Sequence, residues 1–165
     1  MNNITFREAT INDAKFISSI HVLSWKKTYK KNLPASILDN LCMKNKEEFW
    51  VNKIKNKSNI YVVTKDGIVQ GFCSLSFDQP KRMCILNSIY VSPKIERNGF
   101  GSVMMKNIII YSKAAKINKI ELGVLESNTN AILFYRYFGF QKNDTSKYIN
   151  INKIKIKESA MFLLI

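Results

Sequence analysis

The chain has 165 residues, of which 46% are hydrophobic, 12% aromatic and 23% charged; this suits one ordinary domain with a single core and argues against both disorder and two full domains. Lys and Arg number 26 against 12 Asp and Glu, a net charge of +14, which attracts polyanions and moves phosphate-bearing partners up the list. Lys, Ile and Asn together supply 62 residues and Arg only four, Arg7, Arg82, Arg97 and Arg136; AT-rich codons alone produce such a bias, so charge by itself is a weak argument for nucleic-acid binding.

In chain order, Ile4 to Arg7 reads as a short strand, followed by Thr10-x-x-Asp13, with Thr10 as an N-cap and Asp13 in the first turn of a helix. In that helix Phe16, Ile17, Ile20 and Leu23, continued towards Lys27 to Tyr29, trace one face at helical spacing. Pro34 opens a second helical region with Ile37, Leu38 and Leu41 as its stripe. Phe49, Trp50 and Ile54, interleaved with Lys and Asn, predict a solvated third helix. From Ile60 the apolar period shifts from about 3.6 to about 2, which marks entry into sheet. Ile60 to Thr64, the Asp66-Gly67 turn and Ile68 to Phe77 form a hairpin signal. A loop over 78–82 with Pro80 leads to a third strand, Met83 to Val91. Gly101 to Lys116 reads as a helix with Val103, Met104, Ile108 and Tyr111 on one side; Lys119 to Leu125 follows as a strand, then Asn130 to Phe138 as a short helix. From Phe140 a last strand pair runs to Ala160 to Ile165. This order predicts an α/β or mixed α+β domain over residues 1–165, with Met83 to Leu125 as a β-α-β unit whose two strands are parallel.

Cys42, Cys73 and Cys84 are odd in number and far apart, and His21 is the one histidine, which argues against a disulfide framework and against a Cys/His metal site. Cys73 and Cys84 fall in strand-like apolar runs and read as buried thiols. The longest apolar stretches, Ile108 to Tyr111 and Ala160 to Ile165, fall far short of the ~18 residues of a membrane span. The start, Met1 to Arg7, lacks the basic and apolar regions of a secretory signal. A cytoplasmic protein without a membrane partner is expected.

Between the third strand and its helix stands Glu96-Arg97-Asn98-Gly99-Phe100-Gly101-Ser102. Glycines at a strand-to-helix turn let successive backbone N–H groups point at one anion, at the positive end of the helix dipole. A lone GxG also serves as a tight connector. Met104 stands where a dinucleotide fingerprint needs its third glycine, and no Gly-Lys-Ser/Thr is present, so neither that fingerprint nor a P-loop applies. Farther on, Asn128 and Asn130 fall at the carboxyl end of the second parallel strand, where open α/β sheets bind ligands. Helix capping is their other reading, and Asn130 alone could satisfy it.

Ile89-Tyr90-Val91-Ser92-Pro93, the Gly99-Phe100-Gly101 turn and Asn128-x-x-Ala131-x-x-Phe134-Tyr135-x-x-Phe138-Gly139-Phe140 follow in an order and at spacings that resemble the GNAT superfamily of acetyl-CoA-dependent N-acetyltransferases. The segment His21 to Tyr29 with Leu33-Pro34 resembles one shared by many of its small bacterial members. The resemblance implies a central mixed, mostly antiparallel sheet with a β-α-β CoA-binding unit, flanked by helices. It implies that acetyl-CoA rests its pyrophosphate on the amides of Arg97, Asn98, Gly99, Phe100, Gly101 and Ser102, lays its pantetheine arm along Ile89, Tyr90 and Val91, and meets Asn128, Ala131 and Phe134. A backbone N–H near Tyr90 or Val91 would polarise the thioester carbonyl, an amine would attack directly, and Tyr135 would give a proton to the departing sulfur. A thiol titrates near ~8.5 and a Tyr near ~10, so a hydrogen bond can assist the leaving thiolate. His21, Trp25 and Tyr29 would lie near the acceptor, with Trp25 and Tyr29 one turn apart on one helix face.

This chain departs from the family's pattern in one place in the cradle: the Gln or Arg three residues before the first glycine is Glu96. A carboxylate there opposes a pyrophosphate, so Glu96 is expected to turn outward. Asn87 and Ser88 stand where some members carry a carboxylate base; water, His21 and Glu126 are the remaining candidates, the last two reading equally as structural. The basic surface suits the phosphates of CoA and argues weakly against a polyamine acceptor. The expected function is acetyl transfer to a primary amine of a small molecule or protein, with no metal; a homodimer is compatible with it. The alternatives are a CoA-binding regulator without turnover and a basic nucleic-acid-binding module, the latter lacking clustered Arg and any nucleic-acid motif.

Overall fold

In a computed structural model that describes residues 3–165, the strands are β1 (Ile4–Glu8), β2 (Asn59–Lys65), β3 (Ile68–Asp78), β4 (Met83–Val91), β5 (Lys119–Leu125), β6 (Gln141–Ile151) and β7 (Ile154–Leu164). The helices are α1 (Ala14–Thr28), α2 (Ala35–Asp39), α3 (Met43–Lys55), α4 (Phe100–Ala114) and α5 (Thr129–Tyr137). Met1 and Asn2, the first two positions of the segment read for a secretory signal, lie outside the described residues. The chain divides into two compact units, one of residues up to Leu75 with Ser88–Asn107, the other of Ser76–Asn87 with Ile108–Ile165; β3, β4 and α4 contribute to both.

In the first unit the strand order is β1-β2-β3-β4. β1 pairs β2 and β2 pairs β3, both antiparallel. Asp66 and Gly67 take φ of +49° and +80°, the left-handed pair that a two-residue hairpin turn requires, so the predicted Asp-Gly turn forms. The buried faces of β2 and β3 meet α1 and α3 in a core of Ala14, Ile17, Ile20, Trp50, Ile60, Val62, Val69 and Phe72. Ahead of α1, the Asp13 carboxylate accepts from the Thr10 backbone N–H (2.7 Å) and hydroxyl (2.9 Å) and from both Arg7 guanidinium nitrogens (2.7 and 3.0 Å). A single 3-10 turn, Ile11–Asp13, separates this cap from the α-helix.

Two expectations about these helices are corrected. The buried strip of α1 runs through Ala14, Ile17, Ser18 and His21, an i, i+3, i+4, i+7 progression that leaves Phe16 pointing outward at 42% exposure. Helix α3 is largely solvated as predicted, but Trp50 is 3% exposed and belongs to the core.

In the second unit β3, β4, β5, β7 and β6 follow in that order. β4 and β5 are parallel from Met83↔Lys119 to Leu86↔Leu122, as the β-α-β reading requires. The whole of β5 pairs antiparallel with β7, from Lys119↔Leu164 to Leu125↔Glu158. β6 and β7 form a hairpin closed by Ile151↔Ile154, its two turn residues Asn152 and Lys153 both left-handed at φ +47° and +67°. Helix α4 buries Met104, Met105, Ile108 and Ser112, while Val103 and Tyr111 of the predicted stripe stay partly exposed. Cys73 and Cys84 are fully buried, whereas Cys42 is exposed. Antiparallel pairings dominate and helices flank them, which makes the fold mixed α+β. Among the described residues no helix is long and apolar enough to cross a membrane.

Candidate active site

The first unit carries the strand end and the cradle. β4 continues five residues past its last pair with β5, through Ile89, Tyr90 and Val91. Beyond it the Ser92 N–H donates to Gln70 O at 2.8 Å, so β3 steers the exit from β4. Gly71 allows this approach, since a Cβ there would lie 2.7 Å from Tyr90 O. A glycine inside a strand signals such a close approach, and that signal was present in the sequence.

The turn from β4 to α4 is built from left-handed residues, Arg97 at φ +65° and Gly99 at φ +81°. The Asn98 side-chain amide donates to Ile95 O at 3.0 Å and holds the loop. Val103 N–H closes the first helical bond of α4 onto Gly99 O at 3.0 Å. The N–H groups of Phe100, Gly101 and Ser102 precede that bond, which is the geometry that receives an anion. The exposed Glu96 carboxylate is paired: Lys27 Nζ from α1 donates to its Oε2 at 2.5 Å, so the acidic residue that precedes the cradle is matched by a cation.

His21, Trp25 and Tyr29 gather on Tyr90. Trp25 Nε1 donates to the Tyr90 hydroxyl at 3.1 Å, His21 stacks on Tyr90 with centroids 5.6 Å apart, and Trp25 and Tyr29 lie 4.6 Å apart. Trp50 Nε1 donates to His21 Nδ1 at 3.1 Å. Burial first, and the nearby Lys46 second, lower the His21 pKa to about 4, so His21 is a neutral ring whose Nδ1 is already an acceptor. That environment suits a positioning group better than a base. The Lys46 ammonium stands over the Trp25 ring at 5.5 Å, a cation–π contact on the aromatic group expected near the acceptor.

The second unit carries α5. Asn128 caps it by accepting from Ala131 N–H at 3.2 Å, which corrects the expectation that Asn130 could serve as the cap: Asn130 already lies inside the helix. One oxygen of Asn128 is thereby engaged, and an amide NH₂ with two donors remains on the same side chain. Tyr135 is buried, edge-on to Phe134 at 5.6 Å and tilted on Phe140 at 5.7 Å. Gly139 at φ +90° ends the helix and lets Phe140 N–H return to Tyr135 O at 3.1 Å. Glu126 is structural: Lys157, Lys142 and the Ser159 hydroxyl surround it, and they lower its pKa. Asn87 donates to the Ser76 hydroxyl at 2.8 Å. Among the described residues no group of three or more His, Cys, Asp or Glu could hold a metal.

The model of the acetyltransferase (GNAT) family matches residues 19–140. The chain belongs to this family. Over 162 residues it is 28% identical to an uncharacterized N-acetyltransferase, YuaI, of Bacillus subtilis strain 168, covering 96% of this chain and 91% of the relative. Among solved structures it is similar to the PaiA N-acetyltransferase of Thermoplasma acidophilum in complex with coenzyme A, with a TM-score of 0.78 and 20% identity over 95% of this chain and 98% of that one. It is also similar to YncA of Salmonella typhimurium, a putative acetyltransferase with its cofactor acetyl-CoA, with a TM-score of 0.71 and 18% identity over 98% and 93%. These likenesses show the fold. All the site residues expected from the sequence, His21 through Tyr135, fall inside the matched GNAT segment. One feature of this GNAT chain went unread: the partnership of Lys27 with Glu96, for which no local motif exists.

Proposed function

We propose that this GNAT protein transfers the acetyl group of acetyl-CoA to a primary amine of a small molecule or protein, acting in the cytoplasm as one domain over residues 1–165. One observation carries the reading. The β4–β5 ladder stops at Leu86↔Leu122 while β4 runs on to Val91, leading into a left-handed turn and the first turn of α4. A backbone edge followed by a helix N-terminus suits a ligand that is an amide chain at one end and a pyrophosphate at the other, and the two CoA-bound fold relatives support it. Bound acetyl-CoA supplies an acyl group activated as a thioester.

The chain's own residues do the rest. Amides of residues 97–102 hold phosphate, with Arg97 adding charge, and Lys27 neutralises Glu96. The β4 edge at Ile89, Tyr90 and Val91 orients the arm, and a backbone N–H there polarises the carbonyl. Asn128, Ala131 and Phe134 border the same ligand. Tyr135, desolvated among Phe134 and Phe140, donates its phenolic proton to the sulfur as it leaves. The Trp25, Tyr29 and His21 group borders the acceptor.

Calorimetry with acetyl-CoA followed by thiol-release assays over a panel of primary amines tests this. Binding with turnover on at least one amine is expected. Binding without turnover on any amine would favour a CoA-binding regulator, and absence of binding at physiological salt would overturn the reading.

A further inference from the structure

We propose that Lys46 determines acceptor specificity, and that the primary amine this protein acetylates also carries a carboxylate. The inference rests on the acetyl-transfer reading above and deepens it. Every residue it uses belongs to the first unit.

Tyr90 lies on the stretch of β4 that runs on past the ladder with β5, the edge proposed to orient the acyl arm. Its hydroxyl accepts from Trp25 Nε1 at 3.1 Å and its ring stacks on His21, so α1 brings this aromatic group to that edge. Trp50 on α3 donates to His21 in turn, and Lys46 stands one turn before Trp50 on the same side of α3. The Lys46 ammonium lies 5.5 Å from the Trp25 ring centroid and 5.5 Å from that of Phe49. Two rings thus fix where the charge stands, and Trp25 contacts both Tyr90 and Lys46.

That charge is not neutralised. Lys46 is half-buried, and among the described residues it forms no ion pair. Glu47 and Glu48 follow it directly, but successive helix positions do not share a face. On α1, Lys26 follows Trp25, and Lys27 is held by Glu96. The charge that reaches His21 is also that of Lys46, and the His21 ring is neutral. A second ammonium drawn to these rings would meet one already seated there, with a repulsion that grows as water is excluded. A carboxylate meets the opposite. The Lys46 ammonium has three N–H donors for it, in charge-assisted hydrogen bonds. Of primary amines with a second charged group, those whose second group is an anion suit this surface, and diamines and polyamines do not.

The test is thiol release by the full chain over amino acids with the amine at different distances from the carboxylate, each beside its carboxamide and the corresponding diamine. The wild type should favour an amino acid over its carboxamide by roughly 10-fold in kcat/KM, with the diamine poorest. Lys46→Met keeps a stem over the rings and removes the charge. The preference should then vanish through a rise in KM for the amino acid, with acetyl-CoA affinity by calorimetry unchanged. Lys46→Arg should retain the preference, and Lys46→Glu should turn it towards the diamine. Comparing one set of amines across variants cancels their differences in basicity. A wild type that turns over only amines without a carboxylate, or prefers them, overturns the inference and leaves acetyl transfer standing. A folded Lys46→Met with the wild-type preference does the same, and reduces Lys46 to a cover on the aromatic group. A wild-type protein that acetylates no amine overturns both.

Discussion

Trp50 Nε1 on α3 donates to His21 Nδ1 on α1 across 3.1 Å in the core of the first unit. The bond fixes the tautomer, placing the ring proton on Nε2, and it is unavailable once the ring is doubly protonated. The unfolded chain protonates His21 near its ordinary 6.5, the folded chain only near 4. Between those values the unfolded state holds more protons. Stability is therefore fully present above pH 6.5 and falls as pH drops towards 4, by at most about 3 kcal/mol. Thermal unfolding between pH 7.5 and 4.5 should show this fall. Trp50→Phe, which strands the buried Nδ1, should cost about 1–3 kcal/mol at pH 7, read as a lower melting temperature.

Lys27 and Glu96 sit at the surface, so their pair adds under about 1 kcal/mol to stability. Its expected effect is on ligand charge. Lys27→Met should weaken acetyl-CoA binding several-fold by unmasking Glu96, and Glu96→Gln should tighten it. The double variant should bind nearly as the wild type does. Calorimetry at low and physiological salt checks the cycle, and the differences should shrink as salt rises.

Tyr135→Phe removes the hydroxyl and keeps the ring contacts with Phe134 and Phe140. The expected outcome is a kcat roughly 100-fold lower with acetyl-CoA affinity unchanged. An unchanged kcat would take Tyr135 out of the chemistry.

Gly99 at φ +81° has nothing within 4 Å of a Cβ position, so Gly99→Ala meets no clash and reports backbone strain alone. About 1–2 kcal/mol is expected for an L-residue held there. Because the strain falls in the cradle, the acetyl-CoA dissociation constant should rise along with the loss in melting temperature.

Asn128→Ala should cost about 1 kcal/mol through the lost α5 cap. Asn128→Asp keeps an acceptor oxygen and should preserve the melting temperature. If Asn128 also serves the ligand through its amide, both variants weaken acetyl-CoA binding, which separates the two roles by calorimetry.

Much of the architecture was legible because it is periodic. Met83 to Val91 and Lys119 to Leu125 were bounded as found, since apolar runs ending at Pro93 and at a polar loop leave little choice. The Asp66-Gly67 turn was legible because few residue pairs accept two left-handed conformations. What escaped depends on a partner strand or helix. Asn128 and Asn130 are equally good caps by type, and only the backbone angles chose the first. Phe16 is apolar, yet the α1 face is set by Ala14 and Ile17. Trp50 sits among Lys and Asn in sequence and is buried because α1 covers it. Lys46 owes its surroundings to Trp25 on another helix, a relation that no local pattern contains.

The β6–β7 hairpin, closed by two left-handed residues between Ile151 and Ile154, has consequences for the order of assembly. A two-residue connection loses almost no closure entropy, and such hairpins form in about 1–10 μs. β4 and β5 must first close the connection over residues 92–118, which includes α4, before any of the pairs from Met83↔Lys119 to Leu86↔Leu122 can form. Local pairing is thus available as soon as β7 exists, while the parallel pair waits on a long loop. The strands expected to flank the ligand are the late ones to settle, and pulse-labelled hydrogen exchange during refolding should find β6 and β7 protected before β4.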